Sequence, residues 1–276
     1  IFSYWDTLVH LFKGAVGTGI LSLPIAFSES GYAMGIFGVL ITTYFSTYSA
    51  YILAVSAVEL CKRHRVPTMS YQTTAYTAFK DGPKFAKPFA TTILHVCNLF
   101  LLISQIGSAC VYMTFIAENA KAVTDVYLGE WDLRLMKLWC ALPLLAVSSI
   151  RNLKYLAPFS TLGSVTVISG CAVVFYYMFI DLPPISSRMA FGDFRDFPKF
   201  FGTVFFATGC ISLVLPLQNE MKNPESFTKP LGVLNVGSAA VALLYTMFGF
   251  LGYIRWGKDA EGSVTLNLPA DHMCVH

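Results

Sequence analysis

Charge is scarce in this chain. Of its 276 residues 13% are charged and 55% hydrophobic, and mean hydropathy is +0.59. Soluble domains carry about a quarter of their residues charged. Here the charges cluster between uncharged runs longer than the ~20 residues that cross a bilayer, which excludes an ordinary soluble core. Paired cysteine motifs are also missing. The 7 cysteines fall mostly inside apolar runs and none forms a CxxC, so neither a disulfide framework nor a zinc site is expected. No N-x-S/T sequon occurs. There is no nucleophile–base pair, metal-ligand cluster or phosphate loop. Lys13-Gly14 is not a Walker motif, because its glycines follow the lysine and no strand precedes them. An enzyme is therefore not expected, nor a cofactor. The net charge of +3 rests on basic residues in a loop between apolar spans, which gives no reason to expect a nucleic-acid partner. No small-residue cleavage site follows the first apolar segment, so no cleavable signal peptide is expected. The chain opens at Ile1 rather than Met, from which an incomplete N-terminus is expected.

What is present is a succession of seven apolar spans, at about 8–27, 32–58, 88–117, 135–150, 155–180, 200–218 and 231–254. They predict an all-α polytopic membrane protein with the lipid bilayer as its solvent, read as a single transmembrane domain over 1–276. Between the second and third spans lie Lys62, Arg63, Arg65, Lys80, Lys84 and Lys87. Basic loops stay cytoplasmic, so the N-terminus is expected on the cytoplasmic side. The mixed aromatic and polar stretch 68–86 reads as a short amphipathic helix on that face.

The first span is weakened from within. Gly14, Gly17 and Gly19 fall inside it and Pro24 follows. Interior glycine costs a helix about 1 kcal/mol relative to alanine, and proline about 3. Two readings stand. One is a discontinuous helix whose free amides receive an anionic group such as a carboxylate. The other is a small-residue packing seam. The sixth span adds weight to the first reading. Thr208, Gly209, Ser212 and Leu213 repeat the spacing of Thr18, Gly19, Ser22 and Leu23, and a proline follows each set, Pro216 and Pro24. The predicted topology runs these two spans in opposite directions. Weakened helices at matching points of two inverted halves point to a transporter site.

His10 lies one helical turn before Lys13-Gly14, and a histidine can carry a proton near neutral pH. A headgroup-level histidine is the plainer reading. His95, Asn98 and Gln105 share one face of the third span and should turn toward the bundle. Asn152, Gln218, Asn219 and Glu220 sit at span ends, where solvated loop accounts for them.

At these residues the chain resembles a known family. Residues 10–24, HLFKGAVGTGILSLP, resemble the first-helix signature of the amino acid/auxin permease family, in its proton-coupled amino acid transporter branch. Residues 201–207, FGTVFFA, and 214–222, VLPLQNEMK, resemble its sixth helix and the exit from it. Residues 262–269, GSVTLNLP, resemble the outer loop before an eighth helix. The resemblance implies an inverted five-helix-repeat transporter fold of eleven helices, with the first and sixth helices unwound at the substrate. It implies proton-coupled symport of small neutral amino acids by alternating access, with protons as the coupling ion. Backbone around Gly17, Thr18 and Gly19 would receive the substrate carboxylate. Ser22, Thr208, Gly209 and Ser212 complete the candidate substrate site, and His10 is the proton-coupling candidate. The branch commonly carries an acidic residue in the unwound sixth helix, where this chain has Gly209.

The resemblance also implies four further helices after Pro269, so the chain is expected to be truncated after about seven and not to transport alone. A truncated non-transporting isoform or an amino-acid-sensing membrane protein is the alternative, with a full-length carrier as a candidate associate. A seven-helix receptor or channel conflicts with a cytoplasmic N-terminus. The membrane expected is the plasma membrane or a lysosomal or endosomal one.

Overall fold

The computed structural model describes residues 2–127, 129–149, 153–180, 182–209 and 211–268, and at 153–161 and 211–212 the backbone alone. Asn152 and the tail after Leu268 lie outside the described residues.

Helix dominates. The first apolar span is three pieces, α1 (Tyr4–Ala15), α2 (Thr18–Leu21) and α3 (Leu23–Ser30). There follow α4 (Tyr32–His64), α5 (Tyr71–Lys80), α6 (Ala90–Tyr127), α7 (Leu133–Ser148) and α8 (Leu153–Phe179). The sixth span is α9 (Phe197–Thr208) and α10 (Ile211–Glu220), and the seventh is α11 (Val233–Trp256). Among the described residues no strand forms beyond one isolated bridge between Phe2 and Met221. Among the described residues five segments are long and apolar enough to cross a membrane, the one at Phe194–Glu220 included. The architecture is that of an all-α polytopic membrane protein.

Two helices outrun their apolar stretches for a local reason. α4 continues to His64, where Arg63 Nε donates to Glu59 Oε1 at 2.8 Å, and α6 continues to Tyr127, where Lys121 pairs with Asp125. Charge ends an apolar run, but oppositely charged residues four apart support further helical turns.

The described residues form two compact units. One gathers Ile1–Val16, Phe37–Ile106 and Val204–Thr246. In it a capping box starts α1: the Ser3 side chain accepts from the Asp6 N–H, and the Asp6 carboxylate accepts from Ser3. The Phe2 N–H donates to Glu220 O at 2.8 Å and the Lys222 N–H to Phe2 O at 3.1 Å, so the start of α1 is sewn to the end of α10. Leu11, Ala54, Val214, Phe227 and Leu234 are the buried core here. Gly14 and Gly237 let the helices close in. A Cβ on Gly14 would lie 2.5 Å from Leu213 Cδ1, and one on Gly237 2.6 Å from Leu11 Cδ2. Lipid tails are as apolar as leucine, so such close approach, rather than exclusion of water, is what holds helices together in a bilayer.

The other unit gathers Gly17–Ile36, Gly107–Thr203 and Met247–His276. Its centre is Phe27, fully buried, with Gly35 and Gly249 against its ring, while Gly252 makes room for Pro24 and Met178. Gly31 has φ +80° and a Cβ there would lie 2.6 Å from Ala190 O, so both conformation and space require glycine. The Gly192 N–H donates to Ser30 O at 2.7 Å across the same crossing. Arg188 closes α11, its Nε donating to Ile254 O at 3.0 Å and its Nη2 to Arg255 O at 3.1 Å. A guanidinium there satisfies orphan carbonyls at the negative end of the helix dipole.

Candidate functional site

The first interruption begins where α1 runs out. Val16 turns extended at φ −76°, ψ 91°, its N–H still donating to Phe12 O at 2.8 Å. Gly17 follows, also extended, and α2 starts at Thr18. The backbone of Gly17 is one any residue could adopt. The space around it is open: beyond its chain neighbours, no described atom lies within 4 Å of a Cβ built on it. The glycines of the first span differ in their surroundings. Gly14 packs against Leu213, whereas Gly17 faces an opening.

The opening N–H groups of a helix have no partner within it, so those of Thr18 and Gly19 find none inside α2. Thr18 Oγ1 is buried with no partner among the described residues. A buried hydroxyl without a partner costs roughly 1–3 kcal/mol and calls for an explanation. Ser22 ends α2, its N–H donating to Gly19 O at 3.3 Å, and Pro24 sits in the first turn of α3, where its missing N–H does no harm.

The second interruption is built differently. Thr208 is the last residue of α9 and is buried, its Oγ1 donating to Val204 O at 2.8 Å. Gly209 leaves the helix, its N–H donating to Phe206 O at 3.3 Å. A Cβ on Gly209 would stand 3.1 Å from Phe205 O, so this glycine is tight where Gly17 is open. α10 resumes at Ile211; the Ser212 side chain and all of Cys210 lie outside the described residues.

A cavity of about 40 Å³ lies beside these ends within the first-named unit. Leu11 and Ala15 of α1, Thr43 and Thr47 of α4, Thr208 and Ser238 are among its walls. Thr43 is 7% exposed and its Oγ1 has no partner among the described residues. Even about 15 Å³ suffices for an ordered water. A larger cavity of about 540 Å³ is lined by Thr68, Tyr71, Gln72, Gln105, Pro216 and Asn219. Beside it Asn219 Nδ2 donates to Met69 O at 3.3 Å.

The sites expected from sequence are brought together only in part. Thr208 lines the small cavity and His10 does not. His10 is exposed on α1, its ring 4.7 Å from that of Phe2. His95, Asn98 and Gln105 are exposed rather than buried in a bundle, Gln105 on the wall of the larger cavity. Gln218, expected in solvated loop, is 1% exposed, and its Nε2 reaches Pro224 O at 3.4 Å. The turn that follows α10 folds back over it.

Outside the membrane spans, the Glu225 carboxyl is held below the ordinary carboxylate range, first by the hydrogen bond from Lys62 Nζ at 2.6 Å and then by its charge.

Sequence reasoning missed Tyr245. It is fully buried in the middle of α11, and its hydroxyl lies 2.6 Å from Ala15 O and 2.9 Å from Ala207 O. A phenol in an apolar span was the only signal available, because its partners are 230 and 38 residues away.

Comparison with known proteins agrees with the helical plan. The family described as transmembrane amino acid transporter protein matches residues 2–275. The chain is 37% identical over 267 residues to the proton-coupled amino acid transporter-like protein pathetic of Drosophila melanogaster, an alignment covering 96% of this chain and 56% of that protein. It is 27% identical over 293 residues to the amino acid transporter AVT3C of Arabidopsis thaliana, covering 97% of this chain and 63% of that one. The chain thus spans less than two thirds of the length of either relative. No solved structure is detectably similar to it.

Proposed function

Because this chain belongs to the transmembrane amino acid transporter family, we propose that it forms part of a carrier that moves small neutral amino acids by alternating access in symport with protons. The relatives are named as amino acid transporters, one of them as proton-coupled-like, and neither is an enzyme by name.

The observation that carries the reading is the first interruption. The open space at Gly17 lies next to the unpartnered Thr18 hydroxyl and to the N–H groups that start α2. Amide hydrogens and a hydroxyl in a water-poor site are what a carboxylate needs to leave water. Irregular backbone at membrane depth is otherwise tolerated only where protein buries it or a cavity hydrates it. In this reading Gly17, Thr18, Gly19, Ser22, Thr208, Gly209 and Ser212 serve substrate binding, and His10 carries the coupled proton. The chain is then one transporter domain of inverted-repeat type with its N-terminus in the cytoplasm.

The test is uptake of labelled glycine, alanine and proline by the intact protein carrying Gly17→Leu. A leucine side chain fills the opening without disturbing a contact seen around Gly17. Uptake should fall to background while the protein reaches the membrane in normal amount. Wild-type uptake by that variant would remove Gly17 from the site.

A further inference from the structure

Both interruptions leave a helix C-terminus without a continuation. Ala15 is the last residue of α1, and Ala207 is the penultimate residue of α9. Carbonyls in a last helical turn have no acceptor role left inside their own helix and carry the negative end of its dipole. Two such carbonyls converge on the hydroxyl of Tyr245, at 2.6 and 2.9 Å. Tyr245 is 0% exposed, so water does not compete for the phenol.

The chemistry of the meeting is unequal. A phenol carries one O–H hydrogen. At any instant it donates to one of the two carbonyls, and the other faces hydroxyl oxygen at contact distance. The two acceptors are of the same type, and rotation about the phenolic C–O bond transfers the donation from one to the other. Neither interrupted helix holds the proton outright, and the one hydroxyl keeps both carbonyl ends within its reach.

We propose that Tyr245 is a positioning residue that ties the C-terminal ends of the two interrupted helices to each other. In broken-helix carriers such carbonyl ends commonly gather around a bound cation. Here a hydroxyl proton stands at the point of convergence. Its consequence is geometric: the Tyr245 hydroxyl fixes where Ala15 and Ala207 stand, and therefore where the unwound segments that follow them begin. The proposal adds to the transport reading a residue outside the substrate site, and it has a readout that does not depend on transport.

The experiment uses the intact protein with spin labels at Val9 on α1 and Phe205 on α9, both exposed, and measures the label-to-label distance distribution. Three side chains are compared at position 245. Tyr245→Phe keeps the ring and removes the hydroxyl. Tyr245→4-aminophenylalanine keeps the ring and supplies two N–H donors, enough for both carbonyls at once. The expected result is a single narrow distribution for wild type, a broadened one for the phenylalanine variant, and a narrow one again for the amino variant. A packing role alone would leave the phenylalanine variant narrow, and that result overturns the proposal. Should Tyr245→Phe fail to fold, the amino variant still decides, because a broad distribution with two donors in place contradicts the assignment. Where uptake is present, Tyr245→Phe should raise the half-saturating substrate concentration about tenfold. Absence of uptake in wild type would sink the transport reading and leave the distance measurement intact.

Discussion

Glycine does three separate jobs in this chain, and only the surroundings of each residue tell them apart. Gly14 admits Leu213, Gly31 adopts φ +80° beside Ala190 O, and Gly17 opens onto empty space. The prediction follows from those differences. Gly31→Ala places a Cβ both in the left-handed region and 2.6 Å from a backbone oxygen. The conformational cost alone is about 1–3 kcal/mol. The collision adds to it, because backbone cannot swing aside as a side chain can. Thermal unfolding in detergent should therefore begin several degrees lower. Gly17→Ala should melt like wild type, since its Cβ meets no described atom and its φ of −132° suits alanine. Equal melting of Gly31→Ala and wild type would show that the 31/190 crossing can relax.

At the scale of elements, the breaks in the first and sixth spans were legible because helix-weakening residues gathered at matching places, Gly19 followed by Pro24 and Gly209 followed by Pro216. The long helices were legible from uncharged runs. Their true ends were less so: α6 runs on to Tyr127 through an i,i+4 ion pair that hydropathy counts against it. Contacts between distant residues were not legible at all. Nothing local announces that the Tyr245 phenol meets Ala15 and Ala207, or that Arg188 closes α11. The Lys62–Glu225 pair, which ties the end of α4 to the turn after α10, yields a pH prediction. Glu225 has a lowered carboxyl pKa in the folded protein. Its contribution is therefore complete above the unfolded carboxylate range and is lost as pH falls through the folded value. Both partners are exposed, so the pair is weak and screened by salt. Lys62→Met should leave stability at neutral pH nearly unchanged. It should flatten the loss of order in the 224–227 turn on acidification, as read by amide hydrogen exchange. An unaltered acid response in that variant would show that Lys62 does not set the Glu225 titration.

For the whole molecule, family membership and the two interrupted helices support the same account, in which backbone rather than a rank of charged side chains receives the substrate. That account explains why so little charge is spent in the spans and why the weakest helix positions fall where they do. It assigns the proton to His10, which lies on α1 six residues before the break begins, roughly 9 Å along a helix. The most direct test is accumulation of labelled alanine by the intact protein in liposomes, with an imposed proton gradient and with none. The account predicts accumulation against the alanine gradient only when protons can flow down theirs. It also predicts that His10→Ala loses this accumulation yet still exchanges alanine across a balanced membrane. Accumulation that ignores the proton gradient, or survives undiminished in His10→Ala, would contradict it.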